Sequence, residues 1–231
     1  MSQWTTSTML NAMLHVLEHG CKWRGHPSSF GNWHSIYTRM SRWSKNGVLD
    51  RIFARLQQEQ MIRINADAFS LDSTVIKVHP DGTGALKKMA LSQSADPAAG
   101  TTKLHLITAS AECAVLFSLS PGQAGDAPEG RRLLTELGAA SEPCALIMDR
   151  AYEGDETRNL AAELGFSPVV PPKSSRTEPW EHDKVLYKKL NEVERLFRRL
   201  KGFRRIFTRF DKLDVMFMGF IVLALILIAI K

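Results

Sequence analysis

Ala66-Asp-Ala-Phe-Ser-Leu-Asp-Ser-Thr-Val-Ile-Lys-Val78 is the stretch whose reading decides the fold. Apolar and β-branched residues alternate in it with small polar ones, the period-2 pattern of a strand. Asp72 stands inside that pattern, between Leu71 and Ser73-Thr74. Two more strands are expected at 104–109 and 114–119, joined by a hairpin at Ala111-Glu112. Beyond the Pro121-Gly122 turn, a helix is expected over 128–137 and a short buried strand over 144–149, ending at Asp149. A helix over 154–164, stopped by Gly165, a brief strand at 168–170 and a breaker-rich connection at 171–180 then lead to a last amphipathic helix. Three strands, then helix, strand, helix, strand, helix, make a mixed α/β domain. Residues 81–100 are small and polar, as in a loop.

Ahead of the sheet the periodicity changes to that of helices. Residues 9–18 place Leu10, Met13, Leu14 and Leu17 on one face, with Gly20 as the stop signal. Residues 21–32 are turn-rich. A second helix over 33–45 turns Ile36, Tyr37, Met40 and Trp43 inward and Arg39, Arg42 and Lys45 outward. Asn46-Gly47 breaks it, and a third helix covers 48–58. Helix, turn, helix with basic residues on the middle helix suits DNA binding through Arg39 and Arg42; it equally suits a packed scaffold. The chain thus divides into a helical N-terminal region, 1–62, and an α/β domain, 63–231.

With 231 residues and a 44% apolar fraction, the chain can bury a sizeable core. Its net charge of +6 is unevenly spread. Between Lys184 and Lys212 eleven basic residues face Glu192, Glu194 and Asp211, an excess larger than that of the whole chain. The basic footprint is therefore local, as in a protein that meets a phosphate backbone at one place. Cys21, Cys113 and Cys144 are far apart, which excludes a disulfide framework or a zinc pattern and suits a reducing cytoplasm. Residues 1–8 are polar with no basic run, so a signal peptide is not expected. The apolar run at 215–230 has 16 residues, short of the roughly 18 to 20 that span a bilayer, and is read as a buried core helix rather than a membrane anchor.

The last amphipathic helix, Tyr187 to Lys201, combines an apolar stripe (Leu186, Leu190, Val193, Phe197, Leu200) with Arg195, Arg198 and Arg199. At about 100° per residue, Tyr187, Glu194 and Lys201 fall on one side, next to the stripe. Three carboxylates then stand out: Asp72 within a strand, Asp149 closing one, and Glu194 on this helix. A buried carboxylate is costly unless paired or bound to a cation. Three such groups suit Mg²⁺, with Mn²⁺ as the alternative ion, in a site that acts on phosphodiesters. Each acid also has an ordinary role available: Asp72 as a turn cap, Asp149 as a helix cap or solvated loop acid, Glu194 as an i,i+4 partner of Arg198. Asp67, Asp81, Asp96 and Asp126 read as loop or cap residues, and His79 and His105 as structural or DNA-facing.

The chain resembles a bacterial insertion-sequence transposase of the DDE type, in the insertion-sequence-five family. The likeness rests on Leu71-Asp72-Ser73-Thr74, Thr101-Thr-Lys-Leu-His105, Pro121-Gly-Gln-Ala124, Met148-Asp149-Arg-Ala-Tyr152 and Pro171-Pro-Lys173. It continues through Tyr187, Asn191, Val193-Glu194-Arg195, Lys201 and Arg209-Phe-Asp-Lys212, and upstream through Cys21-Lys-Trp-Arg24 and Phe30-Gly-Asn-Trp33. The family's C-terminal signature is Tyr, two residues, Arg, three residues, Glu, six residues, Lys; Leu190 stands here where it has Arg. The segment ahead of Met9 is also shorter than is usual in the family.

The resemblance implies an RNase H-like mixed sheet with flanking helices, and metal-dependent strand cleavage and strand transfer at insertion-sequence ends. It makes Asp72, Asp149 and Glu194 the catalytic metal ligands, with Mg²⁺ as cofactor. Tyr187 and Lys201 would position DNA, and Arg195, Arg198 and Arg199 would add electrostatic affinity. The partners implied are the double-stranded terminal repeats, the target DNA and a second copy of the chain, in the cytoplasm at the nucleoid and not at a membrane. Leu190 and the short start leave one other reading, a truncated transposase that binds DNA without cutting it.

Overall fold

The structure, a computed structural model, describes residues 5–62, 64, 67–82 and 100–230. Its centre is a mixed sheet of β1 (Ala68–Val78), β2 (Thr101–Thr108), β3 (Ala114–Pro121), β4 (Cys144–Met148), β5 (Phe166–Val169) and the short β6 (Thr208–Arg209). The strand order is β3-β2-β1-β4-β5, with β6 paired to β1. β1, β2 and β3 form an antiparallel meander, while β4 and β5 continue parallel to β1. Parallel neighbours need crossovers, and α4 (Asp126–Leu137) and α5 (Asp155–Glu163) supply them. This is the RNase H-like arrangement expected from the sequence.

Strand alternation sorts the buried apolar residues of the sheet into two layers. Leu71, Ile107, Leu146 and Met148 join Leu133, Leu134 and Tyr152 beneath α4 and α5. Ile76, Leu104, Leu106 and Ile147 face the other way, toward Val193, Leu196 and Leu200 of α7 (Asn191–Gly202). The second layer continues without a break into α1 (Thr6–His19), α2 (Trp33–Lys45), α3 (Val48–Gln58) and α9 (Asp214–Ala229). The N-terminal helices therefore share a core with the sheet domain.

Local chemistry sets the ends of these helices. Thr5 Oγ1 accepts from the Thr8 N–H, and Asn32 Oδ1 from the His34 N–H, as N-caps do. Gly20, at φ +63, closes α1 by donating to the Val16 carbonyl. Leu10, expected on the buried face of α1, is 36% exposed, because the helix packs through Ala12, Met13, Val16 and Leu17 instead.

α9 is the apolar C-terminal run, and it is buried as a core helix against α2 and α3. A Cβ on Gly219 would lie 2.2 Å from Ser44 Oγ, so glycine permits the close approach of α9 to α2. Among the described residues no helix is long and apolar enough to cross a membrane.

Two expectations need correction. The helix read as continuous from Tyr187 to Lys201 is built from α6 (Lys184–Tyr187), a tight turn at Lys188–Leu190, and α7. The turn keeps right-handed helical dihedrals, so Leu190 still reaches the core, where it is buried. The basic footprint is also smaller than the sequence implies. Arg205, on α8 (Arg204–Phe207), makes a two-pronged pair with Asp211, and Arg209 pairs with Asp214. Arg209 also donates to Thr102 Oγ1 on β2, and Arg205 to the Cys21 carbonyl. Both guanidiniums are buried, and they tie the C-terminal segment to the sheet and to the N-terminal loop. Most of the loop expected at 81–100, with Asp96, lies outside the described residues, as does Ala66 at the start of the quoted stretch.

Candidate active site

Asp72 and Asp149 become neighbours through the sheet register. Leu71 pairs with Met148 across the parallel strands β1 and β4, so the next residues, Asp72 and Asp149, leave the pair side by side. Leu71 and Met148 point into the α4–α5 layer. By alternation both aspartates face the opposite side, where α7 carries Glu194. Residues 45 to 122 positions apart in sequence are thus brought to one face of the sheet, beside the last β1–β4 pair.

Their electrostatics agree with that placement. The Asp72 carboxyl is pushed from its ordinary 3.8 up to about 7. Burial is the main cause, and Asp149, Glu194 and Asp126 add repulsion in that order. The Ser73 N–H works against this by donating to Asp72 Oδ1 at 2.7 Å. Asp149 accepts from the Ala151 N–H at 3.4 Å and so also caps the turn that follows β4. Glu194 is exposed and faces Arg198 at 3.9 Å. The ordinary roles foreseen for Asp149 and Glu194 are therefore present beside the acidic convergence.

Tyr187 and Lys201 flank this group. Burial raises the Tyr187 phenol above its usual range, followed by repulsion from Asp149, with Asp72 and Glu194 adding to it. Lys201 donates from Nζ to Thr74 Oγ1 at 2.7 Å, and its own pKa is lowered by burial. Thr74 lies two residues beyond Asp72 on the same strand face.

The arginines expected at the DNA surface differ in their partners. Arg195 pairs with Glu192 and Arg198 with Glu194, both within α7 and both exposed. Arg199 instead reaches across to Glu112 in the β2–β3 hairpin at 2.7 Å. Arg39, whose guanidinium lies over Trp43, and Arg42 sit on α2, whose packing partners are α9, α3 and α1.

Among the described residues no three carboxylate, imidazole or thiol side chains are gathered closely enough to hold an ion as they stand. The donor chemistry nonetheless fits a hard divalent cation. Asp72 is half-buried, its Oδ1 takes one N–H, and the three groups that repel it are all carboxylates.

Several polar residues around Asp72 have no role in the sequence reading. Asp126, read as a loop or cap residue, begins α4; its Oδ1 accepts from Ser73 Oγ at 2.8 Å and pairs with Lys103 at 2.9 Å. His105 is fully buried, which rules out a DNA-facing role; its Nε2 meets Ser120 Oγ at 2.8 Å and its Nδ1 meets the Tyr152 hydroxyl at 3.4 Å. Burial lowers its pKa to about 4, so it is neutral. The period of two offered one clue, since it puts Ser73, Lys103 and His105 on the same side of the sheet.

Comparison with known proteins shows the family. A family model described as "Transposase DDE domain" matches residues 65–229, and one described as "Putative transposase of IS4/5 family" matches residues 2–53. A Brucella ovis protein, "Putative transposase for insertion sequence element IS6501", is 32% identical over 132 residues, 57% of this chain and 99% of that protein. A Sinorhizobium fredii protein, y4sN, is 32% identical over 76 residues, 33% of this chain and 58% of that one. Among solved structures, the piggyBac transposase synaptic complex aligns at 10% identity and a TM-score of 0.34, over 76% of this chain and 50% of that one. The Mos1 mariner catalytic domain aligns at 12% and 0.31, over 72% and 87%. Likenesses that distant carry no weight, and the fold is read from the strand order itself. The family follows from the sequence matches, which cover most of the sheet domain and nearly all of the Brucella relative: this chain belongs to the DDE transposase family of insertion sequences.

Proposed function

We propose that the chain cleaves DNA strands at insertion-sequence ends and joins them to target DNA, with Asp72, Asp149 and Glu194 holding Mg²⁺, or Mn²⁺ in its place. The observation that carries this reading is the adjacency of Asp72, within β1, and Asp149, just past β4, beside the last pair of the two parallel strands and on the face toward α7. What such an ion supplies when bound is Lewis acidity at the attacking and leaving oxygens of a phosphodiester. Glu194 joins the two aspartates by releasing Arg198, an exposed pair of the kind worth at most about 1 kcal/mol.

The remaining residues bind and orient DNA. Lys201 spends one donor on Thr74 and keeps others for a phosphate beside the acids. Tyr187 presents a neutral hydroxyl next to the same group. Arg195 and Arg198, held only by surface pairs within their own helix, are free to turn to the backbone of the duplex, and Arg199 joins them by leaving Glu112. Arg39 and Arg42 extend the contact from the helical region at 1–62. Two copies of the chain on paired ends, in the cytoplasm at the nucleoid, complete the reading.

The test is incubation of the purified protein with labelled element-end DNA and Mg²⁺, beside the Asp149→Ala variant. Cleavage by the parent with none by the variant supports the proposal. Binding by both with cleavage by neither leaves a DNA-binding protein without chemistry.

A further inference from the structure

The acidic group rests on a second, half-buried set of polar residues on the far face of β1. Ser73 points away from Asp72, toward α4, and donates its hydroxyl to Asp126 at 2.8 Å. Asp126 is fixed in turn by Lys103, whose Nζ also donates to the Ala124 carbonyl at 2.7 Å. The Lys103 and Asp126 side chains are only 12% and 21% exposed, so this pair is far less screened than those on α7. Tyr152, fully buried, stands against Ser73, and a Cβ on Gly130 of α4 would lie 2.5 Å from its ring. Glycine there allows α4 to seat closely over the network.

The same residue that Asp126 anchors by its side chain holds Asp72 by its backbone. The Ser73 N–H donates to Asp72 Oδ1 at 2.7 Å. A carboxylate beside other carboxylates is driven to rotate away from them unless something fixes it. Here the fixing group is one peptide N–H, whose residue is held by the β1–β2 ladder through its backbone and by Asp126 through its side chain.

Resting on the metal-site reading above, we infer that Ser73, Asp126 and Lys103 are positioning residues that hold Asp72 in the orientation in which it takes a divalent ion. Groups that orient a metal ligand without touching the ion change metal affinity by about 10- to 100-fold when removed. The three segments involved, 71–74, 101–105 and 121–126, are distant in sequence and are brought together by the β1–β2–β3 pairing.

The experiment is a titration of the DNA-free protein with Mn²⁺, read by electron paramagnetic resonance of the free ion, on the parent, Ser73→Ala, Ser73→Thr, Asp126→Asn and Asp149→Ala. Thermal midpoints are measured on all five. Ser73→Ala and Asp126→Asn should weaken Mn²⁺ binding about tenfold, and Ser73→Thr, which keeps the hydroxyl, should restore most of it. The Mg²⁺ concentration for half-maximal cleavage should rise by the same factor, with a smaller change in rate at saturating Mg²⁺. Parental Mn²⁺ affinity in Ser73→Ala and Asp126→Asn, with Asp149→Ala impaired, overturns the inference and leaves the metal-site reading standing; lowered thermal midpoints would then mark a merely structural network. Parental affinity in Asp149→Ala removes the metal site itself, and this inference with it.

Discussion

Lys201 of α7 and Thr74 of β1 are joined by a 2.7 Å hydrogen bond, and Thr74 shares a strand face with Asp72. The contact clamps the basic helix to the strand that carries the first acid. Lys201→Met removes the clamp and one phosphate contact together. DNA binding measured against salt concentration should lose about one unit of slope. The thermal midpoint should fall only slightly, since a single hydrogen bond is worth about 1 kcal/mol.

The arginines of this region should separate into two classes. Arg205 and Arg209 are buried in pairs with Asp211 and Asp214. Arg205→Met leaves Asp211 unpaired in the interior, which destabilises by about 3–5 kcal/mol. Arg198→Ala, on the exposed face, should change stability by less than about 0.5 kcal/mol while weakening DNA binding. Chemical denaturation of both variants, beside a binding assay, checks the division.

The carboxyl of Asp72 carries a pH signature. Its folded value, about 7, lies above its ordinary 3.8, chiefly because burial penalises the charge. The group therefore contributes stability that is complete below about pH 4 and is lost as pH rises through about 7. In the metal-free protein the thermal midpoint should decline over that window, and Asp72→Asn should flatten the decline. Metal binding needs the ionised form, so Mn²⁺ affinity should rise between about pH 6 and pH 8 and release a proton. Equal affinity at both ends would contradict this.

Close packing of α9 on α2 gives a further prediction. Gly219→Ala places a methyl group 2.2 Å from Ser44 Oγ. The expected cost is about 1–3 kcal/mol, seen as a lowered denaturation midpoint with the secondary structure retained. A neutral effect would mean that the Ser44 and Met40 side chains turn aside or that the two helices separate easily.

How far the sequence reaches depends on the range of the interaction being read. The bounds of α2 and α3 follow from the turn-rich stretch at 21–32, Asn46-Gly47 and the apolar spacing, all local signals, and the structure keeps them. β1, the succession of strands and helices along the chain and the burial of α9 are legible for the same reason, since each pattern is written along one segment. The partners of charges are not. Nothing near Arg209 in sequence says that it will meet Thr102 of β2, and nothing near Asp126 says that it will meet Ser73. Those contacts depend on sheet register, which joins residues 53 to 107 positions apart. The turn at Lys188–Leu190 was hidden because it preserves helical dihedrals and so leaves the apolar stripe intact.

Glu194 is the member of the acidic group whose assignment asks most of the structure, since it is exposed and turned toward Arg198. The direct test is single-turnover strand cleavage by Glu194→Gln on element-end DNA already bound, in Mg²⁺, with the bound fraction measured in the same samples. Binding close to that of the parent with loss of cleavage is the expected result. Cleavage at the parental rate would show that Glu194 is only a partner of Arg198, and would remove the third carboxylate from the site.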